Sequence, residues 1–140
     1  MTHSASLLSV SAASIDFQNP VILAAGTAAY GRELAGVMNL EALGGIVTKA
    51  VSPEPRKGAP SPRVAEFDGG MMNAVGLANP GLEAVIRDDL PWLSQNVKNA
   101  RVIVNVVGST VDDFETVTRS DANSSSTPEH QFTTGSRGSC

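Results

Sequence analysis

The chain has 140 residues, of which 41% are hydrophobic and 17% are charged, and it carries a formal net charge of -4. This length fits a single globular domain and is too short for a complete (β/α)8 barrel, which needs about 250 residues. The acidic balance and the lack of any run of Lys or Arg argue against a surface that binds nucleic acid or anionic membranes.

The sequence carries no signal that directs it to a membrane or to an oxidising compartment. Residues 1–10 lack a basic region and do not resemble a signal peptide. No stretch approaches the roughly 20 apolar residues that a transmembrane helix needs. The single cysteine, Cys140, has no partner for an internal disulfide. We therefore expect a protein of the cytoplasm.

The first part of the chain predicts a short β-hairpin followed by one β–α–β unit. Loose alternation over residues 7–17, closed by Asn19-Pro20, is typical of a hairpin. The apolar run at residues 21–25 predicts a strand buried on both faces, residues 32–43 predict a helix ended by glycines, and residues 46–48 predict a second strand. Such units build parallel sheets.

The next segments predict a long loop, a broken helix, a third strand and a last helix. Residues 51–80, rich in proline and glycine, predict a structured loop of the kind that often carries function. Residues 82–97 predict a helix interrupted at Pro91, which Asp88 or Asp89 would cap again. Residues 101–107 predict the third strand and residues 111–118 a short helix.

The last segment, residues 120–140, has a different composition from the rest. It contains six Ser and three Thr and few hydrophobic residues. Because such a segment buries too little apolar surface to offset its ordering entropy, we expect it to be disordered. Two origins stay open, a native linker and a frameshifted or artificial end.

The carboxyl ends of the three predicted strands should meet at one edge of the sheet, where parallel α/β folds bind ligands. Ala25 stands after the first strand, Lys49 and Ala50 after the second, and Asn105 in the third. A small residue admits a flat ligand, a lysine offers a positive charge, and an asparagine offers both a donor and an acceptor. The same lysine could equally be a solvated side chain.

The long loop adds a further set of candidate ligand contacts, which are Asn73, Ala74, Val75, Gly76 and Leu77. Their backbone amides and the Asn side chain could hold a carboxylate or an imide. Alternatively, Asn73 and Asn79 could simply be turn residues beside Gly76 and Pro80. Residue spacing alone therefore indicates a ligand-binding α/β domain, with no metal site.

Six segments of the sequence have the pattern of a known enzyme family. They are residues 19–27 (NPVILAAGT), 30–33 (YGRE), 47–50 (VTKA), 54–58 (EPRKG), 62–66 (PRVAE) and 70–81 (GMMNAVGLANPG). On these segments the sequence resembles the class 1 dihydroorotate dehydrogenases, in particular their NAD-dependent 1B form. The segments extend in family order over about residues 5 to 119. The resemblance implies an α/β fold in which residues 1–119 form the N-terminal part of a (β/α)8 TIM barrel, preceded by the hairpin.

The resemblance also implies an activity, the oxidation of dihydroorotate to orotate with hydride transfer to FMN, in de novo pyrimidine biosynthesis. It implies FMN contacts at Ala25, Lys49, Ala50 and Asn105, and orotate contacts at Lys49 and at residues 73–77. The family commonly has a serine at the position of Ala25, so only backbone contact is expected there. Implied partners are an iron–sulfur/FAD electron-transfer subunit and a second catalytic subunit in a homodimer.

The family's general base is a cysteine in an Asn-x-Ser-Cys-Pro-Asn segment, and this sequence contains no such segment. Cys140 lacks the following Pro-Asn and is not assigned that role. The chain alone is therefore expected to be catalytically incomplete. Two alternatives stay open, a non-catalytic fragment that retains part of the orotate and FMN pocket, and a related flavin barrel such as a dihydropyrimidine dehydrogenase or a dihydrouridine synthase.

Overall fold

The computed structural model describes residues 7–124 and 133–134. The strands in this part of the chain are β1 (Val10–Ala12), β2 (Ile15–Phe17), β3 (Ile22–Leu23), β4 (Gly45–Val47), β5 (Val64–Phe67), β6 (Gly70–Asn73), β7 (Arg101–Ile103), β8 (Asn105–Val106) and β9 (Thr133–Thr134). The helices are α1 (Arg32–Ala35), α2 (Leu82–Ala84), α3 (Leu90–Asn96) and α4 (Val111–Ser124), with a 3₁₀ turn at Leu40–Ala42 and a π turn at Val85–Asp89.

The predicted N-terminal hairpin is confirmed. β1 and β2 pair antiparallel, with Val10 opposite Phe17. The two connecting residues, Ala13 and Ser14, have φ angles of 48° and 68°, as the tight turns of two-residue hairpins require. Phe17 is buried and its ring lies 3.5 Å from the position that a Cβ on Gly45 would occupy, so the hairpin packs against the start of β4.

The predicted parallel sheet is also confirmed, in the strand order β3-β4-β7. Ile46, at the centre of β4, is 0% exposed and pairs with Val102 of β7. The first strand differs from its prediction, because only two residues pair and Val21 beside them is 56% exposed. β3 lies at one edge of this sheet, so one of its sides has no neighbouring strand among the described residues.

The single helix predicted over residues 32–43 is wrong. α1 ends after one turn, where Gly36 is its C-cap, and Val37 is 78% exposed. A separate 3₁₀ turn follows, and the Asn39 side chain accepts a hydrogen bond from Glu41 N at 3.1 Å. Glycine favours a helix end, and the asparagine side chain competes for backbone donors. The two residues therefore break the single helix that the apolar spacing predicts into two short elements.

The helical segment 82–97 is less interrupted than predicted. α2, the π turn and α3 follow one another without a gap from Leu82 to Asn96. Pro91 lies in the first turn of α3, where the missing N–H needs no acceptor, and the wider π turn before it absorbs the change in hydrogen bonding. Asp89 precedes this turn, but its side chain makes no capping hydrogen bond.

The segment 51–80, predicted as a loop, contains a β-hairpin that the sequence analysis missed. β5 and β6 pair antiparallel from Val64 opposite Asn73 to Phe67 opposite Gly70. The turn between them places Gly69 at a φ angle of 86°. All eight strand residues are exposed, so the hairpin has no buried face to produce a clear apolar alternation.

The third strand is split into β7 and β8 at Val104, and α4 follows. α4 continues to Ser124, past the boundary predicted at residue 119. β9 pairs parallel with β8, with Asn105 opposite Thr133. The rest of the tail, for which we predicted disorder, lies outside the described residues.

Two clusters of buried side chains hold these elements together. The first consists of Ala28, Leu40, Leu43, Ile46, Leu93, Val97, Ala100 and Val102. The second consists of Tyr30, Val51, Leu82, Val85, Val104, Val106 and Val117. Each fully buried Val, Leu or Ile contributes about 1.5–3 kcal/mol. The fold is therefore α/β, with helices packed against a parallel sheet.

Candidate ligand-binding site

The loops after the first two parallel strands and the third strand meet at one edge of the sheet, as predicted. Lys49 N donates to Ala29 O over 2.8 Å, which joins the loops that follow β3 and β4. Val51 N donates to Asn105 O over 2.8 Å, which joins the second loop to β8. The structure thus brings Lys49 and Ala50 next to Asn105.

The pairing of the second and third strands contains an extra residue at this place. Val47 is opposite Ile103, and the next paired residues are Val51 and Val106. Three residues on one strand therefore face two on the other, which is the count of a β-bulge. Lys49 lies within this bulge, whose irregular backbone leaves polar groups free of the regular ladder.

Thr48 stabilises the bulge from inside the protein. Its side chain is buried, and its Oγ1 accepts a hydrogen bond from Asn105 N at 3.2 Å. The same hydroxyl donates to Lys49 O over 3.0 Å. Thr48 therefore supplies an acceptor where the ladder has none. From the sequence Thr48 is predicted only as a strand residue, although a hydroxyl at the end of a buried strand indicates a hydrogen-bonding role.

Tyr30 is a second contact that the sequence analysis missed. It is 8% exposed, and its hydroxyl donates to Ala50 O over 3.0 Å. Burial, and then the nearby carboxylates of Asp89 and Glu33, raise the pKa of Tyr30 above its ordinary value. The phenol therefore stays protonated at neutral pH and keeps its role as a donor.

The Lys49–Ala50 segment keeps polar groups without a partner among the described residues, although Ala50 itself is 4% exposed. The N–H of Ala50 has no acceptor within residues 7–124, although its carbonyl is bonded to Tyr30. The ammonium of Lys49 forms no ion pair with any described carboxylate, and its side chain is half-buried. A free amide donor beside an unpaired cation suits an electron-rich or anionic ligand.

The backbone after β3 is open to a ligand. Ala25 is exposed, and a turn closed by Thr27 N donating to Ala24 O over 3.1 Å follows the strand. Gly26 has a φ angle of 84°, and no described atom lies within 4 Å of the position that a Cβ would take there. A flat molecule can therefore approach this backbone closely.

The predicted orotate segment, residues 73–77, is exposed and is fixed to the segment 58–63. Ala74 N donates to Arg63 O over 2.8 Å, and Ala59 N donates to Val75 O over 3.1 Å. The approach is tight, because a Cβ on Gly58 would lie 2.2 Å from Val75 O. No hydrogen bond among the described residues joins this segment to Lys49 or Asn105.

Asn79 is a buried structural residue. It is 7% exposed, and its Nδ2 donates to Leu77 O over 2.8 Å and to Ser52 Oγ over 2.9 Å. Its Oδ1 accepts from Gly81 N at 2.9 Å. The turn interpretation of Asn79 is thus the better one, since its side chain ties the end of the predicted orotate segment to the residues after the bulge.

Other features of the described chain lie away from this site. A cavity of about 400 Å³ between residues 53–55, the start of α2 and Ser120 shares no lining residue with it. Within the described ranges, no group of three or more His, Cys, Asp or Glu side chains could hold a metal ion. No helix there is long and apolar enough to cross a membrane.

Fold and site together define an α/β domain with ligand-accessible backbone at the carboxyl ends of its parallel strands. The family model described as dihydroorotate dehydrogenase matches residues 7–127. The chain belongs to the dihydroorotate dehydrogenase family.

Individual relatives agree with this assignment. The chain is 47% identical to a dihydroorotate dehydrogenase B (NAD(+)) catalytic subunit of Bacillus pumilus over 108 residues. This alignment covers 77% of the chain and 34% of the relative. The corresponding subunit of Streptococcus pneumoniae is 46% identical over 79% of this chain and 35% of the relative.

A dihydroorotate dehydrogenase A (fumarate) of Lactiplantibacillus plantarum is 44% identical over 80% of this chain and 37% of the relative. The expected relationship to the B-type catalytic subunits is confirmed. The chain spans about a third of the length of the curated relatives that it matches.

Proposed function

We propose that this chain supplies one wall of the active site of a dihydroorotate dehydrogenase, an enzyme of de novo pyrimidine biosynthesis that oxidises dihydroorotate to orotate. The observation that carries the proposal is the meeting of Lys49 and Ala50 with Asn105 and with the loop after β3, in a chain of this family. The sheet would then be the opening part of a (β/α)8 barrel, whose ligands bind at the carboxyl ends of the strands.

The proposed cofactor is FMN, and the groups at the strand ends fit it. The open backbone at Ala25 and Gly26 admits a flat ring system, and the N–H of Ala50 is free to donate to it. Lys49 places a positive charge beside these groups, and Asn105 offers an amide. When bound, FMN would take up the hydride that leaves C6 of dihydroorotate.

The proposed substrate contacts are Lys49 and residues 73–77. Lys49 would balance the carboxylate of dihydroorotate, and Asn73 with its neighbouring backbone amides would hold the ring. This role is supported by the exposed position of the segment and by its attachment through Ala74, Val75 and Asn79. Held in this way, the segment would orient the substrate without rearranging on binding.

The general base and the electron-transfer partner would come from outside this chain. The sequence lacks the segment that carries the family's base cysteine, so we expect no oxidation of dihydroorotate by the chain alone. The proposed complete enzyme acts in the cytoplasm as a homodimer with an iron–sulfur/FAD subunit, and passes its electrons to NAD. The B-type names of the relatives support NAD over fumarate.

The proposal is tested by FMN binding to the full 140-residue chain, followed as quenching of flavin fluorescence. We expect Lys49→Ala to weaken binding by at least about tenfold, the effect of losing one charge-assisted hydrogen bond. Lys57→Ala is the matched control, because Lys57 is exposed and lies outside the site. Absence of FMN binding, or equal loss in both variants, would contradict the assignment.

A second candidate function is a non-catalytic fragment that retains part of the pocket. It is favoured by the coverage, because about two-thirds of each relative's length has no counterpart here. Addition of dihydroorotate to the FMN-loaded chain, mixed with a polypeptide that spans the remaining two-thirds of a B-type relative, separates the two candidates. Bleaching of the flavin with formation of orotate would reject the fragment, whereas binding of orotate without oxidation would support it.

A further inference from the structure

Tyr30 contacts the bulge at Lys49 and Ala50 from the core side of the protein. Its ring belongs to the second core cluster, with Val51 and Val104 among its members. Its hydroxyl reaches out of that cluster to Ala50 O over 3.0 Å. Tyr30 itself is 8% exposed, so it stands on the core side of the segment and not on the ligand side.

Besides the bond from the Thr48 hydroxyl to Lys49 O, three hydrogen bonds fix the peptide groups around Lys49. Only one of these three reaches Ala50, and it comes from the side chain of another element. Lys49 N is bonded to Ala29 O at 2.8 Å, and Val51 N is bonded to Asn105 O at 2.8 Å. Between these two anchors, the carbonyl of Ala50 is bonded to the Tyr30 hydroxyl. Because the segment is a bulge, it has no regular ladder to orient this carbonyl.

We propose that Tyr30 is a positioning residue, whose hydroxyl orients the Lys49–Ala50 segment so that the Ala50 N–H and the Lys49 side chain face the flavin. This inference rests on the proposed function of the site. The carbonyl that Tyr30 holds belongs to Ala50, so a loss of the hydroxyl releases the same residue whose amide is left free for a ligand.

Tyr30 would act by keeping the Lys49–Ala50 segment rigid before the ligand binds. A donor already held in its bound direction loses little entropy when the ligand arrives, so binding is stronger than to a mobile donor. Tyr30→Phe removes only the oxygen and keeps the ring in the core. Its effect should therefore appear as mobility of the Lys49 amide and as weaker FMN binding, beyond any general loss of stability.

The test compares Tyr30→Phe with Val117→Ala in the full chain. Val117 is fully buried in the same core cluster and lies in α4, so its truncation lowers stability without touching the bulge. In Tyr30→Phe we expect amide exchange of Lys49 to speed up by about tenfold more than the change in global stability explains, and FMN affinity to fall by about tenfold. In Val117→Ala, neither the Lys49 amide exchange nor the FMN affinity should change by more than the loss of global stability explains.

The outcomes separate the inference from the function on which it rests. If Lys49 exchanges no faster in Tyr30→Phe than in Val117→Ala at equal stability, Tyr30 does not position the segment. If exchange speeds up but FMN affinity is unchanged, the segment is mobile and irrelevant to the flavin, and the inference is overturned too. If the unmodified chain binds no FMN, the proposed function fails, while the exchange comparison still decides the positioning role.

Discussion

Replacing Asn79 by Ala should lower the free energy of unfolding by about 3 kcal/mol. The residue is 7% exposed, and its side chain donates hydrogen bonds to Leu77 O and Ser52 Oγ and accepts one from Gly81 N, at 2.8–2.9 Å. The variant leaves these groups inside the protein without that partner, and each such group costs about 1–3 kcal/mol. The estimate lies at the low end of the sum of these costs because Leu77 is exposed enough for water to reach its carbonyl.

Urea denaturation followed by circular dichroism measures this loss, and Asn96→Ala provides the control. Asn96 makes one exposed hydrogen bond, from its Nδ2 to Trp92 O at 2.8 Å, and Ala is the better helix former at that position. We expect the control to change stability by less than about 0.5 kcal/mol. A loss of less than about 1 kcal/mol in Asn79→Ala would refute the view of Asn79 as a buried clamp.

Two further predictions concern the backbone and the pH dependence. Gly58→Ala should lower the free energy of unfolding by more than about 2 kcal/mol, because the new Cβ would lie 2.2 Å from Val75 O. In the control Gly69→Ala the new Cβ would have no atom within 4 Å, so only the cost of a positive φ, about 1 kcal/mol, is expected. Similar losses for the two variants in urea denaturation would contradict this. Backbone N–H groups at the start of α4 lower the pKa of Asp113, so its contribution to stability is present above about pH 4 and is lost as the pH falls further. Asp113→Asn should flatten this decline in melting temperature, and an unchanged slope would count against the interaction.

β4 and β7 were predictable from the sequence because burial leaves an unbroken apolar run, whereas Val21 beside β3 is 56% exposed although its run looks the same. Ile46 and its neighbours show this pattern, and the structure places them at the centre of the sheet. The helix at residues 32–43 was not predictable in this way. Its apolar spacing is helical, but α1 ends at Gly36 and a separate 3₁₀ turn begins after Asn39. These are local effects of single residues, and the spacing of apolar residues does not reveal them.

The candidate site shows the same division. Lys49 and Asn105 were found because topology alone brings strand ends together. The roles of Tyr30 and Thr48 were not found, and Asn79 was recognised only as a turn residue. Each of the three acts through a hydrogen bond to a residue at least 20 positions away or to the backbone of a bulge. Such contacts depend on the register between segments, which the composition of either segment does not contain.

The extra residue between the Val47–Ile103 and Val51–Val106 pairs makes the fold of this part of the protein depend on the number of residues as well as on their side chains. Three residues must separate Val47 from Val51 for both pairs to form. Deleting one would restore an even ladder and rotate the following side chains to the opposite face of the sheet. The positions of Lys49 and Ala50 can thus tolerate exchange of a side chain far better than the loss or gain of one peptide unit.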